Sequence, residues 1–492
     1  MYRRLVLLIV FIVSIPGLLA ASTLGDNVRE HRLENGATLL LIERHTSPTV
    51  AAYISFRVGS VNETSEERGA AHLLEHMLFK GTKTLGTRNY AAEEPMLEQI
   101  NALGAQIDRL KNQVASDPHE LERLRAELTR LQKEHRQFVV TDEFSRIYAE
   151  NGGIGYNAFT GKDQTTYLIN LPANKLELWA AIESDRLQNA VFREFYTERD
   201  VVAEERRRSY ESNPQGMLYE TLLATAYKVH PYRDPVIGWE SDIANLSPEK
   251  IRGFFSRYYT PVNMVITLVG EFESVAAIEL VERYFGKLNP GVPVPPVSDR
   301  EPQQRGERRV VIDFDCENSM MIAFHKPTMP QAEDYAFDIL MQVLADGRAS
   351  RLYRELVVEQ EVASSVDIFS APGARYDNLM IIRLEPRSGH STAEVEAALY
   401  RELERLQDEP FSEAEIAKAR KQITMGQMRR LKSNSGLART LSSFEVLGDW
   451  RYLLDYEEKL NMVNAQDIMK IAERYLTADN RTVAILSRGG EG

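Results

Sequence analysis

Hydrophobic positions along this chain recur with two periods, and these separate strands from helices. Ala37 to Ile42 and Val50 to Val58 read as strands, parted at Ser47-Pro48 where a ladder cannot continue. Gly59-Ser60 leads into a helix carrying Leu73, Leu74, Met77, Leu78 and Phe79, closed by Gly81. It is apolar on nearly every side, which predicts burial. From about Glu93 apolar residues fall at threes and fours: Leu97, Ile100, Leu103, Ile107, Leu110 and Val114. Ala115-Ser116-Asp117-Pro118 breaks the run, and Leu121, Leu124, Leu128 and Leu131 resume it, which predicts an antiparallel helical hairpin over about 93–142. Gly152 to Leu168 alternates like a strand beside a glycine-rich turn. Helices follow over Lys175 to Asn189 and Glu198 to Arg207, and Ser247-Pro248-Glu249 starts another.

The pattern then repeats. R-Y-Y-T-P-V-N-M-V-I-T-L-V from Arg257 matches R-Y-L-T-A-D-N-R-T-V-A-I-L from Arg474. H-L-L-E-H-M-L-F-K-G from His72 aligns with D-I-L-M-Q-V-L-A-D-G from Asp338, so Leu74, Leu78 and Gly81 meet Leu340, Leu344 and Gly347. Gly286 to Gln304 holds five prolines, a composition suited to a linker. The chain therefore divides into an N-terminal unit at 22–285, a Pro-rich linker at 286–306 and a related C-terminal unit at 307–492, with the hairpin as an insertion in the first. Arg3 and Arg4, the apolar Leu5 to Ile15, and small residues around Ala20-Ala21 predict a signal peptide over 1–21 and an exported, periplasmic or secreted protein. That run is short for a membrane span, and no later stretch is long and apolar enough for one. Cys316 is the only cysteine, so no internal disulfide can form. A net charge of −13 argues against a nucleic-acid partner.

Candidate chemistry sits on the buried helix. His72 and His76, four apart, project from one face, and Glu75 joins them. Two neutral imidazoles at this spacing can hold one Zn²⁺, and the carboxylate can take a proton from metal-bound water. The order His-x-x-Glu-His inverts the commoner zincin motif. Such a site wants a third protein ligand. In E-R-D-V-V-A-E-E-R-R, at about 100° per residue, Glu205 falls between Val201 and Val202, which are expected to bracket the buried stripe. Glu198 lies close by on the same face, and Glu204 points toward solvent.

With these residues in place, the chain resembles the pitrilysin/insulinase family of zinc peptidases, in particular its two-domain bacterial members similar to the mitochondrial processing peptidase. The resemblance implies one zinc per chain held by His72, His76 and Glu205, with Glu75 as general base and Glu198 orienting a ligand. It implies that Asn157, Ala158, Phe159 and Thr160 belong to an edge strand that accepts the substrate backbone, a mode that tolerates many sequences. It also implies an α+β fold of two homologous domains. Each would have a mixed, largely antiparallel sheet with helices packed on one side, and the two would face each other across a cavity.

One family feature is missing. The pattern R-L-Y-R-E-L-V-V-E-Q-E-V-A-S-S-V from Arg351 puts Val357 and Ser364 where the family carries an Arg and a Tyr that bind the substrate carbonyl. Neither can stabilise an oxyanion as those groups do. The second copy also lacks the metal ligands, with Asp338, Met341 and Gln342 at the aligned positions. The expected function is a zinc-dependent endopeptidase or oligopeptidase for unfolded or short peptides, acting as the metal-bearing subunit of a heterodimer whose related partner supplies the Arg/Tyr pair. The alternative is a non-catalytic scaffold or peptide-binding subunit with a vestigial metal site.

Overall fold

The computed structural model describes residues 24–113 and 117–488. The segment expected as a signal peptide lies outside the described residues. Among the described residues, eleven strands form two sheets. The first contains β1 (Arg29–Arg32), β2 (Thr38–Glu43), β3 (Thr49–Phe56), β4 (Ile154–Thr160), β5 (Thr165–Pro172) and β6 (Met264–Gly270), in the order β1-β2-β6-β3-β5-β4. The second contains β7 (Arg308–Asp313), β8 (Ser319–Lys326), β9 (Ala363–Ala371), β10 (Asn378–Pro386) and β11 (Arg481–Ser487), in the order β7-β11-β8-β10-β9.

The two orders are the same once β1 is set aside. β2 runs parallel to β6 as β7 runs parallel to β11, and every other pairing is antiparallel. The repeated R-Y-x-T segments close helices Pro248–Tyr258 and Ala465–Tyr475 and lead into β6 and β11, the matching central strands. The helix Ala332–Ala345 is the second half's counterpart of the histidine helix, Ala70–Met77.

Alternation within the strands shows how the halves join. Val50, Ala52, Ile54 and Phe56 of β3 face the first half's own core, with the histidine helix among its members. Ala51 and Tyr53, on the other face, pack with Val265 and Val269 against Leu437, Ala438, Leu441 and Trp450 of the second half. The second sheet mirrors this: Met320, Ile322 and Phe324 face its own helices. Met321 and Ala323 meet Leu218, Leu222 and Ala226 from the first half. Each half thus packs its helices on one side of its sheet, as expected, and lends one helix to the other sheet's outer face: Pro214–Ala226 in one direction, Asn434–Leu447 in the other. The apolar run of β3 is explained by this double cover, because both faces are out of water. Each large apolar side chain fully buried in these seams contributes about 1.5–3 kcal/mol relative to leaving it exposed.

The hairpin forms as helices Tyr90–Lys111 and Pro118–His135, and its feet are tied to the histidine helix. Glu93, fully buried, accepts hydrogen bonds from His135 Nε2 at 2.8 Å and Arg193 Nε at 2.7 Å. Arg193 also donates to the carbonyls of Lys80, Thr82 and Leu85, where the chain leaves the histidine helix. Between Phe285 and Arg308 there is no helix or strand. This stretch is nonetheless pinned: the Glu301 carboxylate accepts from the backbone N–H groups of Lys228, Val229 and His230.

Candidate active site

The histidine helix begins at Gly69, whose φ of +85° and close approach to Ile237 O leave no room for a Cβ. Its free N–H groups are met by a carboxylate: Glu63 accepts from Gly69 N at 2.9 Å and from Ala71 N at 2.7 Å. A carboxylate at a helix N-terminus is favoured by the helix dipole as well. Leu73, Leu74 and Met77 anchor the helix in the core, and the polar face that remains carries His72, Glu75 and His76.

Helix Phe195–Arg206 brings up the third residue. Its buried stripe is Phe195, Glu198, Val202 and Arg206. This corrects the expectation that Val201 and Val202 bracket the stripe, since Val202 is fully buried but Val201 is 47% exposed. The stripe runs through Val202 itself, with Glu205 at its margin. Glu205 still turns to the histidines: Oε1 lies 3.6 Å from His72 Nε2 and Oε2 lies 3.5 Å from His76 Nε2. Glu204 turns away and pairs with Arg207 and Arg208 at 2.7 and 2.8 Å.

These residues fit a divalent metal. One ligand atom from each of His72, His76 and Glu205 can be chosen so that all lie within 4.8 Å of one another. Separations of 3.5 and 3.6 Å are long for hydrogen bonds. They suit ligands about one tetrahedral ion with bonds of about 2.0–2.2 Å. Burial, with His76 beside it, pulls His72 down to about 3, so it is neutral and free to ligate. His76 is half-buried, which favours its neutral form, but the hydrogen bond to Glu198 Oε1 at 2.9 Å and the surrounding carboxylates raise it overall. That bond engages Nδ1 and leaves Nε2 aimed at Glu205, the arrangement in which an outer carboxylate fixes a ligand's orientation. Burial opposes the charge on Glu198, yet His76 and Lys80 hold it down at about 2. Lys80, whose Nζ is 2.5 Å from Glu198, lies four residues after His76 and just past the helix's end, where spacing gives no sign of its role.

Glu75 contacts the hydroxyl of Thr160 on β4. Burial raises its pKa, with that hydroxyl pulling the other way, which brings it closer to the range of a general base. β4 is the end strand of its sheet, paired to β5 alone, so its other edge is unpaired among the described residues. The four residues expected to meet substrate divide by direction. Asn157 is exposed, Ala158 points into the core and offers only backbone, Phe159 lies on the outer face, and Thr160 faces Glu75. In the second half, Val357 packs on its own core and the Ser364 hydroxyl donates to Glu385 O. Tyr376 accepts from Val297 N and its ring lies tilted against His230, so it belongs to the seam between halves.

Two family models and several known proteins match most of this chain. A family model described as Insulinase (Peptidase family M16) matches residues 38–111 and 134–239, and one described as Peptidase M16 inactive domain matches 245–423. The first match skips the hairpin's tip and most of its second helix. "Zinc protease PqqE" of Helicobacter pylori is 28% identical over 92% of this chain and 91% of its own. "Uncharacterized zinc protease YmxG" of Bacillus subtilis is 22% identical over 94% and 99%. Among solved structures, a protease from Helicobacter pylori superposes with a TM-score of 0.79 at 24% identity, covering 94% of this chain and 99% of that one. The periplasmic protease PqqL from Escherichia coli gives 0.70 at 17% identity, and this chain spans 48% of its length.

Proposed function

We propose, from the premise that this chain belongs to the insulinase family of peptidases (M16), that it is a zinc-dependent endopeptidase or oligopeptidase acting on unfolded or short peptides. The observation that carries this reading is the convergence of His72 Nε2 and His76 Nε2 on the two oxygens of Glu205, with Glu75 on the same face. Zinc, when bound, supplies a Lewis acid that polarises a carbonyl and lowers the pKa of a water. The chain's own residues do the rest. His72, His76 and Glu205 hold the metal, one ion per chain, and Glu198 fixes the His76 ring. Glu75 accepts the attacking water's proton and passes it to the leaving amine. The edge of β4 lays the peptide beside Glu75 through main-chain hydrogen bonds, a mode that suits extended, unfolded segments.

Residues 22–285 are read as the metal-bearing unit and 307–492 as a related unit without ligands, joined by 286–306. The N-terminal 21 residues are read as an export signal, with a periplasmic location. PqqL is described as periplasmic, and no helix among the described residues is long and apolar enough to cross a membrane. Val357 and Ser364 leave the oxyanion without its usual Arg and Tyr, and this favours a heterodimer in which a related chain supplies them. The same blank positions favour the second reading, a peptide-binding subunit that does no chemistry. Zinc analysis of the purified protein tests the core of the proposal. Wild type should carry close to one zinc per chain and His76→Ala close to none; equal contents would remove the metal from this triad.

A further inference from the structure

β4 has a second neighbour besides the metal triad. Helix Asn434–Leu447, lent by the second half, crosses the outer face of the first sheet, and its exposed Arg439 lies over Phe159, with Cζ 4.9 Å from the ring centroid. The helix is held there by a hydrogen bond between the Ser442 and Ser55 hydroxyls at 2.6 Å, one that Ser435 donates to Asn170 Oδ1 at 2.5 Å, and one that Ser443 Oγ accepts from Gln164 Nε2 at 3.3 Å. Phe159 immediately precedes Thr160, whose hydroxyl touches Glu75. Arg439 therefore marks the outer side of the free edge, one residue along from the point nearest the general base. Arg57 and Arg451, elsewhere along this sheet, are paired with Glu445 and Glu30, but no carboxylate pairs with Arg439 among the described residues. Arg439 is thus an exposed cation held against an aromatic face, without a counter-charge among the described residues, beside the candidate site.

We infer that Arg439 is a specificity-determining residue that selects peptides with Asp or Glu one residue from the position facing Glu75. The inference rests on β4 being the edge that takes the peptide. A strand added to that edge sets each of its residues opposite one of β4, with Cβ atoms about 4.5–5.5 Å apart, and its side chains alternate between faces. The residue opposite Phe159 then rises beside the ring and the guanidinium, whose forked donors match a carboxylate. A basic side chain there meets like charge. The half without metal ligands would in this way choose substrate for the half that has them.

The test uses the full chain as zinc-loaded Glu75→Gln, so that bound peptide is not consumed. Fluorescent, unstructured, otherwise uncharged peptides carry Glu, Gln or Lys at one scanned position. At one position the Glu peptide should bind about three- to fivefold more tightly than Gln, as expected for an exposed ion pair, with Lys weaker still. Adding Arg439→Gln should abolish that ranking and Arg439→Glu should reverse it, and both effects should fade with salt. The same ranking in all three proteins, or none at any position while peptides still bind, overturns the role of Arg439 alone. Failure of every peptide to bind overturns the reading of β4 and this inference with it.

Discussion

Glu204 and Glu205 are neighbours with nearly equal side-chain exposure, 39% and 42%, yet they face different ways. Direction on the helix decides their chemistry. Glu205→Gln should weaken zinc binding by at least about tenfold, and Glu204→Gln should leave it nearly unchanged; competition with a chelator measures both. A larger loss from Glu204→Gln would mean the ligand is misassigned. At this scale the sequence was informative wherever spacing alone set direction. His72, Glu75 and His76 share a face because they are three and four apart, and no packing detail can undo that. Two adjacent valines cannot say which of them the core will take, and it takes Val202. Thr160 was expected to meet substrate, and its hydroxyl is found on Glu75. A contact between residues so far apart in the chain leaves no local trace.

Among the elements, the hairpin is the one whose coupling to the site can be probed through pH. Burial disfavours the charge on Glu93, but hydrogen bonds from His135, Arg193 and Thr87 outweigh this and hold it down at about 2. A carboxylate with a depressed folded pKa stabilises the protein above its unfolded value, about 4.3, and loses that contribution as pH falls toward the folded one. Glu93→Gln should therefore cost about 3 kcal/mol or more at neutral pH, as for a broken buried pair. The gap from wild type, read as urea midpoints, should close between about pH 4.3 and 2; a gap unchanged down to pH 3 would contradict it. The hairpin's helices were legible from their spacing. Its attachment was not, since Glu93, His135 and Arg193 carry no pattern of their own. Nor could the lent helices be foreseen: an amphipathic period predicts that Asn434–Leu447 has a buried face, not whose sheet it covers.

For the molecule as a whole, the duplication was readable because it is written twice in strand-forming and helix-forming runs, and the matching sheet orders follow from it. What the second half does is harder to read. Asp338, Met341 and Gln342 align with the first half's metal-site residues, and Val357 and Ser364 stand where the resemblance leads one to expect an Arg/Tyr pair, but what the half contributes instead depends on packing. If a related chain supplies the missing Arg and Tyr, mixing the two should raise peptide turnover by about 100-fold or more, the scale of an oxyanion donor, and replacing that Arg or Tyr should abolish the gain. Equal turnover without any partner would argue against a heterodimer. The central claim is that a zinc-holding triad and Glu75 together hydrolyse peptide bonds, and one measurement reaches it most directly. Turnover of an unstructured peptide is compared between wild type and Glu75→Gln, each carrying one zinc per chain and each with the same second chain present. Wild type should cleave and Glu75→Gln should be slower by at least about 100-fold, with zinc content unchanged. Equal cleavage by the zinc-loaded variant, or none by wild type under the same conditions, would contradict it.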